Sequence, residues 1–125
     1  MKIGKKNWVF CDGYLPPKGD NPEFEGHEAL MLTNLNKDKA KIELVIVFED
    51  KDPIDGIWVN LDGMRTTCVR MDKPLGKDGL VLGESVQYTV WVKSDVPICS
   101  KNGVWISLKP SMTGLPYLPK QRLKV

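Results

Sequence analysis

A single histidine, His27, serves the whole chain, so the sequence holds no set of histidines for a zinc centre and no serine or cysteine motif to complete a nucleophile and base. Cysteine is scarce as well. Cys11, Cys68 and Cys99 are odd in number and lack Cys-x-x-Cys spacing, which argues against a disulfide framework and gives no zinc signature. Each lies in or beside an apolar run and reads as a small buried hydrophobe, reduced in a cytoplasmic setting. Long apolar runs are missing: the longest is Leu44 to Phe48, against the roughly 20 residues that cross a bilayer. The lysine-bearing start Met1 to Lys6 is followed only by Trp8, Val9 and Phe10, too short for the core of a signal peptide. Neither Gly-x-Gly-x-x-Gly after a strand nor a phosphate loop occurs, so no cofactor is expected and no metal.

Charge of one sign is also lacking. Eighteen basic residues against sixteen acidic leave +2, too little for whole-surface attraction to nucleic acid or anionic lipid. The one basic cluster, Lys120, Arg122 and Lys124, reads as a solvated end, with phosphate or lipid headgroups as the lesser alternative. A hydrophobic fraction of 42% in 125 residues fits one soluble domain, 1–125, with a core large enough to fold without staples.

What the sequence does have is period-two patterning. Ala40, Ile42, Leu44, Ile46 and Phe48 share one parity, opposed by Lys41 and Glu43, as in a half-buried strand. Val45 and Val47 make the second parity apolar near the strand's end, which implies a cover there, a second subunit or a loop. Val86 to Lys93 and Val104 to Leu108 alternate likewise, and shorter β-rich runs lie at 8–11, 29–33, 57–61, 66–71 and 96–99. Turn residues separate them, with Asp62-Gly63 and Asn102-Gly103 as the strongest hairpin signals. Nine prolines and no amphipathic window of ten residues leave little room for helix. The expectation is an all-β, antiparallel β-sandwich of about eight strands.

Few groups stand out as chemistry. His27 and Glu28 are adjacent in a strand and therefore point to opposite faces, which makes them poor partners for one proton. Glu23, Glu25 and Glu28 surround a Pro/Gly-rich loop and read as solvated rather than as a paired-carboxylate site. Arg65 and Arg70 carry planar forks suited to carboxylate or phosphate, with ion pairing at a sheet edge as the alternative. Trp8, Tyr14, Trp58, Trp91 and Trp105 are core or interface residues more often than ligand platforms. No catalytic residue is expected, and the chain reads as a binding module rather than an enzyme.

Certain residues together carry a resemblance. Gly13-Tyr14-Leu15-Pro16-Pro17, Pro22, Phe24, His27-Glu28 and Asn34 are followed in order by Ile42 to Phe48, Asp50-Lys51-Asp52-Pro53, Arg65-Thr66 with Val69-Arg70, and Ser94-Asp95-Val96-Pro97. Over roughly 7–117, leaving the basic tail 118–125 aside, the chain resembles the cyanobacterial sensory rhodopsin transducer family and its soluble bacterial relatives. The resemblance implies a small β-sandwich assembling as a homotetramer, in a superfamily proposed to bind small molecules, sugars among them, in signalling or metabolism. A membrane rhodopsin partners only some members, and docking of such a receptor or of DNA through the tail is the rival reading. Carried over by position, the ligand-binding candidates are Tyr14, His27, Glu28, Asn34, Arg65 and Arg70, five of them expected in one cleft near the loop from Gly13 to Gly26. The pattern lapses after Pro97, where Ile98 to Gly103 depart from the family, so no ligand contact is carried over to that strand.

Overall fold

The computed structural model describes residues 2–14, 24–83, 86–108 and 122–124, and within them the side chains of 2–11, 13, 28–83 and 86–103. Seven strands appear: β1 (Lys5–Tyr14), β2 (Phe24–Asn34), β3 (Ala40–Phe48), β4 (Ile54–Leu61), β5 (Arg65–Arg70), β6 (Gln87–Leu108) and β7 (Arg122–Lys124). All pairings are antiparallel, and no helix occurs among the described residues.

The architecture turns on β6, a 22-residue strand shared by two sheets. Its first half pairs with β1 and β3, and β3 with β4, giving one sheet in the order β4-β3-β6-β1. From Cys99 onward it pairs with β2 and then β7, and β2 with β5, giving the second sheet, β5-β2-β6-β7. The change of partner falls between Ile98 and Cys99, just after Pro97, whose missing N–H suits a place where the ladder changes hands. Asn36 holds this corner, donating from Nδ2 to Pro97 O at 2.6 Å and to Ile3 O at 3.2 Å.

Burial follows the alternation. Ala40, Ile42, Leu44 and Ile46 are sealed against Val90, Val92 and Ile98 of β6, and Leu30 and Leu32 of β2 close the core from the other sheet. Leu75 and Leu82 plug the core from the β5–β6 connection, where Leu75 and Leu80 exchange backbone hydrogen bonds at 2.7 and 2.8 Å. At about 25 cal/mol per Å² of buried apolar area, a leucine sealed in this way stabilises the fold by about 1.5–3 kcal/mol.

Three expectations need correction. Asn102-Gly103 is no hairpin: both residues run inside β6, opposite Leu30 and Ala29, and the three separate strands expected between Val86 and Leu108 are one. Local turn propensity is overridden by pairing along the whole of β2. Asp62-Gly63 joins β4 of one sheet to β5 of the other rather than two paired neighbours. Glycine is needed there because a Cβ at 63 would collide with the Lys37 carbonyl, while the left-handed residue is Met64, at φ 57°. The cysteines, finally, are not buried hydrophobes: Cys11 and Cys68 are exposed and Cys99 is half-buried, because all three occupy the outward parity of their strands.

Candidate functional site

Glu28 is the least expected side chain in the interior. The acidic loop reading made it solvated, yet β2 points it into the space between the sheets, where it is only 2% exposed. Asn102, on the neighbouring β6, donates from Nδ2 to Glu28 Oε1 at 2.8 Å. The Glu28 backbone carbonyl accepts from Met71 N at 2.8 Å, which fixes the end of β5 beside it.

Tyr88 reaches the same region from the opposite sheet and is 3% exposed. Its ring fits because the residue across the β1–β6 ladder is Gly13, where a Cβ would come within 2.6 Å of Tyr88 Cε2. Burial, then the charge and hydrogen-bonding pull of Glu28, then the charge of Asp72, push the Tyr88 phenol well above the usual tyrosine range. The carboxylate is thus near enough to act on the hydroxyl, although the hydroxyl oxygen is buried without a well-formed hydrogen bond. Asn102 Oδ1 is likewise buried and unpartnered. Tyr88 also lines a surface pocket of about 180 Å³ with Val47, Phe48, Glu49, Gln87 and Thr89.

The six sequence candidates are spread along β2 and its neighbours. Arg70 pairs with Ala29, next to Glu28, and binds Asp72 through Nε at 2.9 Å and Nη2 at 2.6 Å, a two-pronged ion pair at the strand end. Asn34 and Arg65 pair with each other six residues farther along β2, about 20 Å from Glu28 at the usual strand rise. Asn34 is fully buried: Nδ2 donates to Asp38 O at 2.8 Å and Leu61 O at 3.2 Å, and Oδ1 accepts from Asn36 N at 3.0 Å. Arg65 is exposed and donates to its neighbour's carbonyl, Met64 O, at 3.0 Å. Tyr14 and His27 are placed by backbone register, opposite Gln87 and Trp105; their side chains, and the loop 15–23, lie outside the described residues. Glu28 and Arg70 are therefore brought to one end of the β2–β5 pair, Asn34 and Arg65 to the other.

Sequence reasoning missed Tyr88 and Asn102. Tyr88 read as one more inward residue of an alternating strand, and Asn102 was absorbed into a turn signal. A polar residue on the inward parity of β6, at Asn102, is the signal that would have found it. Trp58 and Trp91 are not core: they are 49% and 38% exposed on the outer face of the β4-β3-β6-β1 sheet. Among the described residues no group of three or more His, Cys, Asp or Glu is placed to hold a metal ion.

Two packed antiparallel sheets sharing one bent strand define the class: an all-β sandwich domain. Residues 3–105 match the family described as Anabaena sensory rhodopsin transducer, and the chain belongs to that family. Among solved structures it is similar to the Anabaena sensory rhodopsin transducer, with 26% identity and a TM-score of 0.69 over 82% of this chain and 90% of that one. It is also similar in fold to the crystal structure of Thermotoga maritima 1070, with 24% identity and a TM-score of 0.63 over 98% of this chain and 91% of that one. No curated protein sequence matches. No helix among the described residues is long and apolar enough to cross a membrane.

Proposed function

We propose that the protein is a non-enzymatic small-molecule sensor of the transducer family, with carbohydrates among its ligand classes, acting as a cytoplasmic homotetramer in signalling or metabolic regulation. The observation that carries this reading is the buried Glu28, hydrogen-bonded by Asn102 and felt electrostatically by the Tyr88 phenol of the other sheet, together with an open surface pocket that Tyr88 lines. Buried polar groups cost stability unless they are satisfied, and a site that retains unsatisfied ones is a candidate for binding. Tyr14, His27, Glu28 and Arg70 are assigned to the ligand end of the sandwich; Asn34 and Arg65 form a second, separate set. The reading is tested by melting the protein against neutral sugars, sugar acids and sugar phosphates: a saturable rise in Tm with one class supports it, and a Tm unmoved by every class rejects it.

The family membership favours a second reading, in which the chain docks a membrane photoreceptor, or DNA, through its basic C-terminal tail. Removing residues 118–125 separates the two, because ligand-induced stabilisation survives the loss under the sensor reading and receptor or DNA binding does not survive it under the docking reading.

A further inference from the structure

Three large apolar residues stand open to solvent around one buried asparagine. Ile3 is 46% exposed, Leu35 42% and Met64 60%. Asn36 anchors all three: Met64 N donates to its carbonyl at 3.1 Å, Ile3 N donates to Oδ1 and Ile3 O accepts from Nδ2, both at 3.2 Å, and Leu35 precedes it in the chain. Leu35 and Met64 also flank the last pair of the β2–β5 ladder, Asn34 with Arg65. Met64 is anomalous in a second way. Its φ of 57° is left-handed, a conformation that glycine or asparagine adopts with less strain, yet the turn there presents a large apolar residue to solvent. Neither backbone preference nor core packing accounts for that choice, and an outlier of this kind points to function.

The rim of the patch is basic. Lys2 precedes Ile3, Lys37 follows Asn36, Arg65 follows Met64, and Lys39 lies two residues past Lys37; all four are exposed. Two exposed carboxylates answer them, Asp38 at 3.8 Å from Lys2 and Asp62 at 4.0 Å from Lys39, while Lys37 and Arg65 form no ion pair among the described residues. Four cations against two anions leave a local excess of two positive charges, as large as that of the whole chain. An apolar tip ringed by cations matches the interface of an anionic bilayer, where apolar side chains enter the acyl boundary and lysine and arginine meet lipid phosphates. DNA would engage the cations and leave Ile3, Leu35 and Met64 unused. A neutral apolar protein surface would do the reverse.

We propose that the corner held by Asn36 is a peripheral docking surface for an anionic phospholipid leaflet, in which Ile3, Leu35 and Met64 enter the headgroup region and Lys37 and Arg65 contact phosphate. It lies at the Asn34–Arg65 end of the β2–β5 pair, away from Glu28, so membrane attachment and the small-molecule reading stand or fall separately.

The test is co-sedimentation of the full chain with phosphatidylcholine vesicles that contain or lack phosphatidylglycerol. The expected result is binding to the mixed vesicles about tenfold tighter than to phosphatidylcholine alone, weakened by added salt. Met64→Asn suits the left-handed backbone and removes the apolar tip, so it keeps or raises Tm while weakening vesicle binding about fivefold. Lys37→Glu, at an exposed position, leaves Tm unchanged and weakens binding to the mixed vesicles only. No preference for the anionic vesicles overturns the proposal, and so do Met64→Asn and Lys37→Glu variants that bind as the parent does. Binding abolished by removal of residues 118–125 and untouched by these two variants assigns attachment to the tail and overturns it as well. Tighter binding to duplex DNA than to vesicles, or a change in the number of chains by light scattering in Met64→Asn, gives the patch to nucleic acid or to a second copy instead of lipid.

Discussion

Gly13 lies opposite Tyr88 in the β1–β6 ladder, and the missing side chain at 13 is what gives the Tyr88 ring its place: an added Cβ would stand 2.6 Å from Cε2 and 2.8 Å from the Tyr88 carbonyl oxygen. Part of that obstacle is backbone, which cannot rotate away. Gly13→Ala is expected to destabilise the protein by about 1–3 kcal/mol through overpacking. Chemical denaturation measures it, and a variant that unfolds at the same denaturant concentration as the parent contradicts the packing. Pairing the change with Tyr88→Ala recovers part of the loss, the part due to the ring.

The Tyr88 phenol supplies a pH dependence. Its folded-state pKa is raised above the unfolded value of about 10, by burial first and by Glu28 next. The stability this group contributes is therefore complete below about pH 10 and is lost as pH climbs above it, because the unfolded chain gives up the proton first. Tyr88→Phe removes this component. Urea melts between pH 9 and 11 should show the parent losing stability faster than the variant, and parallel curves would refute the assignment.

Asn34 and Arg65 pair in the β2–β5 ladder but differ in what they hold. Asn34 ties the strand end to Asp38, Leu61 and Asn36 from a fully buried position, so Asn34→Ala should cost about 2–4 kcal/mol by leaving those groups unsatisfied. Exposed Arg65→Ala should stay within about 0.5 kcal/mol. Comparing the two midpoints checks this. With its fold intact, the Arg65 variant also isolates any ligand contact at that end.

The fold was legible wherever one strand face met the core. Ala40 to Phe48 shows in the sequence the parity that it buries, and so does Tyr88 to Val92. Asn102-Gly103 was misread because its turn propensity is local, whereas its actual environment is set by β2, some 70 residues away in sequence. The site was only partly legible for the same reason. Glu28 stood out as a charged residue beside a loop, but its buried partner Asn102 lies 74 residues away in sequence, and no spacing along the chain encodes that meeting. Asn34 was carried over by position from the family resemblance, and in the structure its amide is hydrogen-bonded to backbone groups of Asp38, Leu61 and Asn36.

The thiols give a simple check on which strand faces look outward. Cys11 and Cys68 are exposed and Cys99 is half-buried. A thiol-reactive dye added to native protein should label two groups per chain quickly and the third more slowly, with all three reacting after denaturation. A single fast thiol would contradict the outward placement of β1 or β5.

The outer face of the β4-β3-β6-β1 sheet bears on self-association. The register sets Val9, Trp91 and Val45 in one row, and Asn7, Lys93, Glu43 and Trp58 in the next. Val9 is 58% exposed and Trp58 49%, which is a large apolar display for a surface that faces only water. Their neighbours keep the face ordered: Trp91 Nε1 donates to Asn7 Oδ1 at 3.1 Å, Lys93 Nζ lies 4.6 Å from the Trp91 ring centre, and Lys41 Nζ lies 4.7 Å from that of Trp58. Val45, expected to need a cover, is already buried at 8% exposed, whereas Val47 at 37% is open with Val9, Trp91 and Trp58, and the proposed homotetramer covers these four by burying this face against another copy. Light scattering at micromolar concentration should report four chains for the parent protein. Val9→Glu combined with Trp58→Glu should reduce that to two or one, with the β-sheet circular dichroism retained, because both side chains are exposed and their replacement costs the isolated fold little. A parent protein that is monomeric, or a double variant that remains tetrameric, excludes this face as the interface.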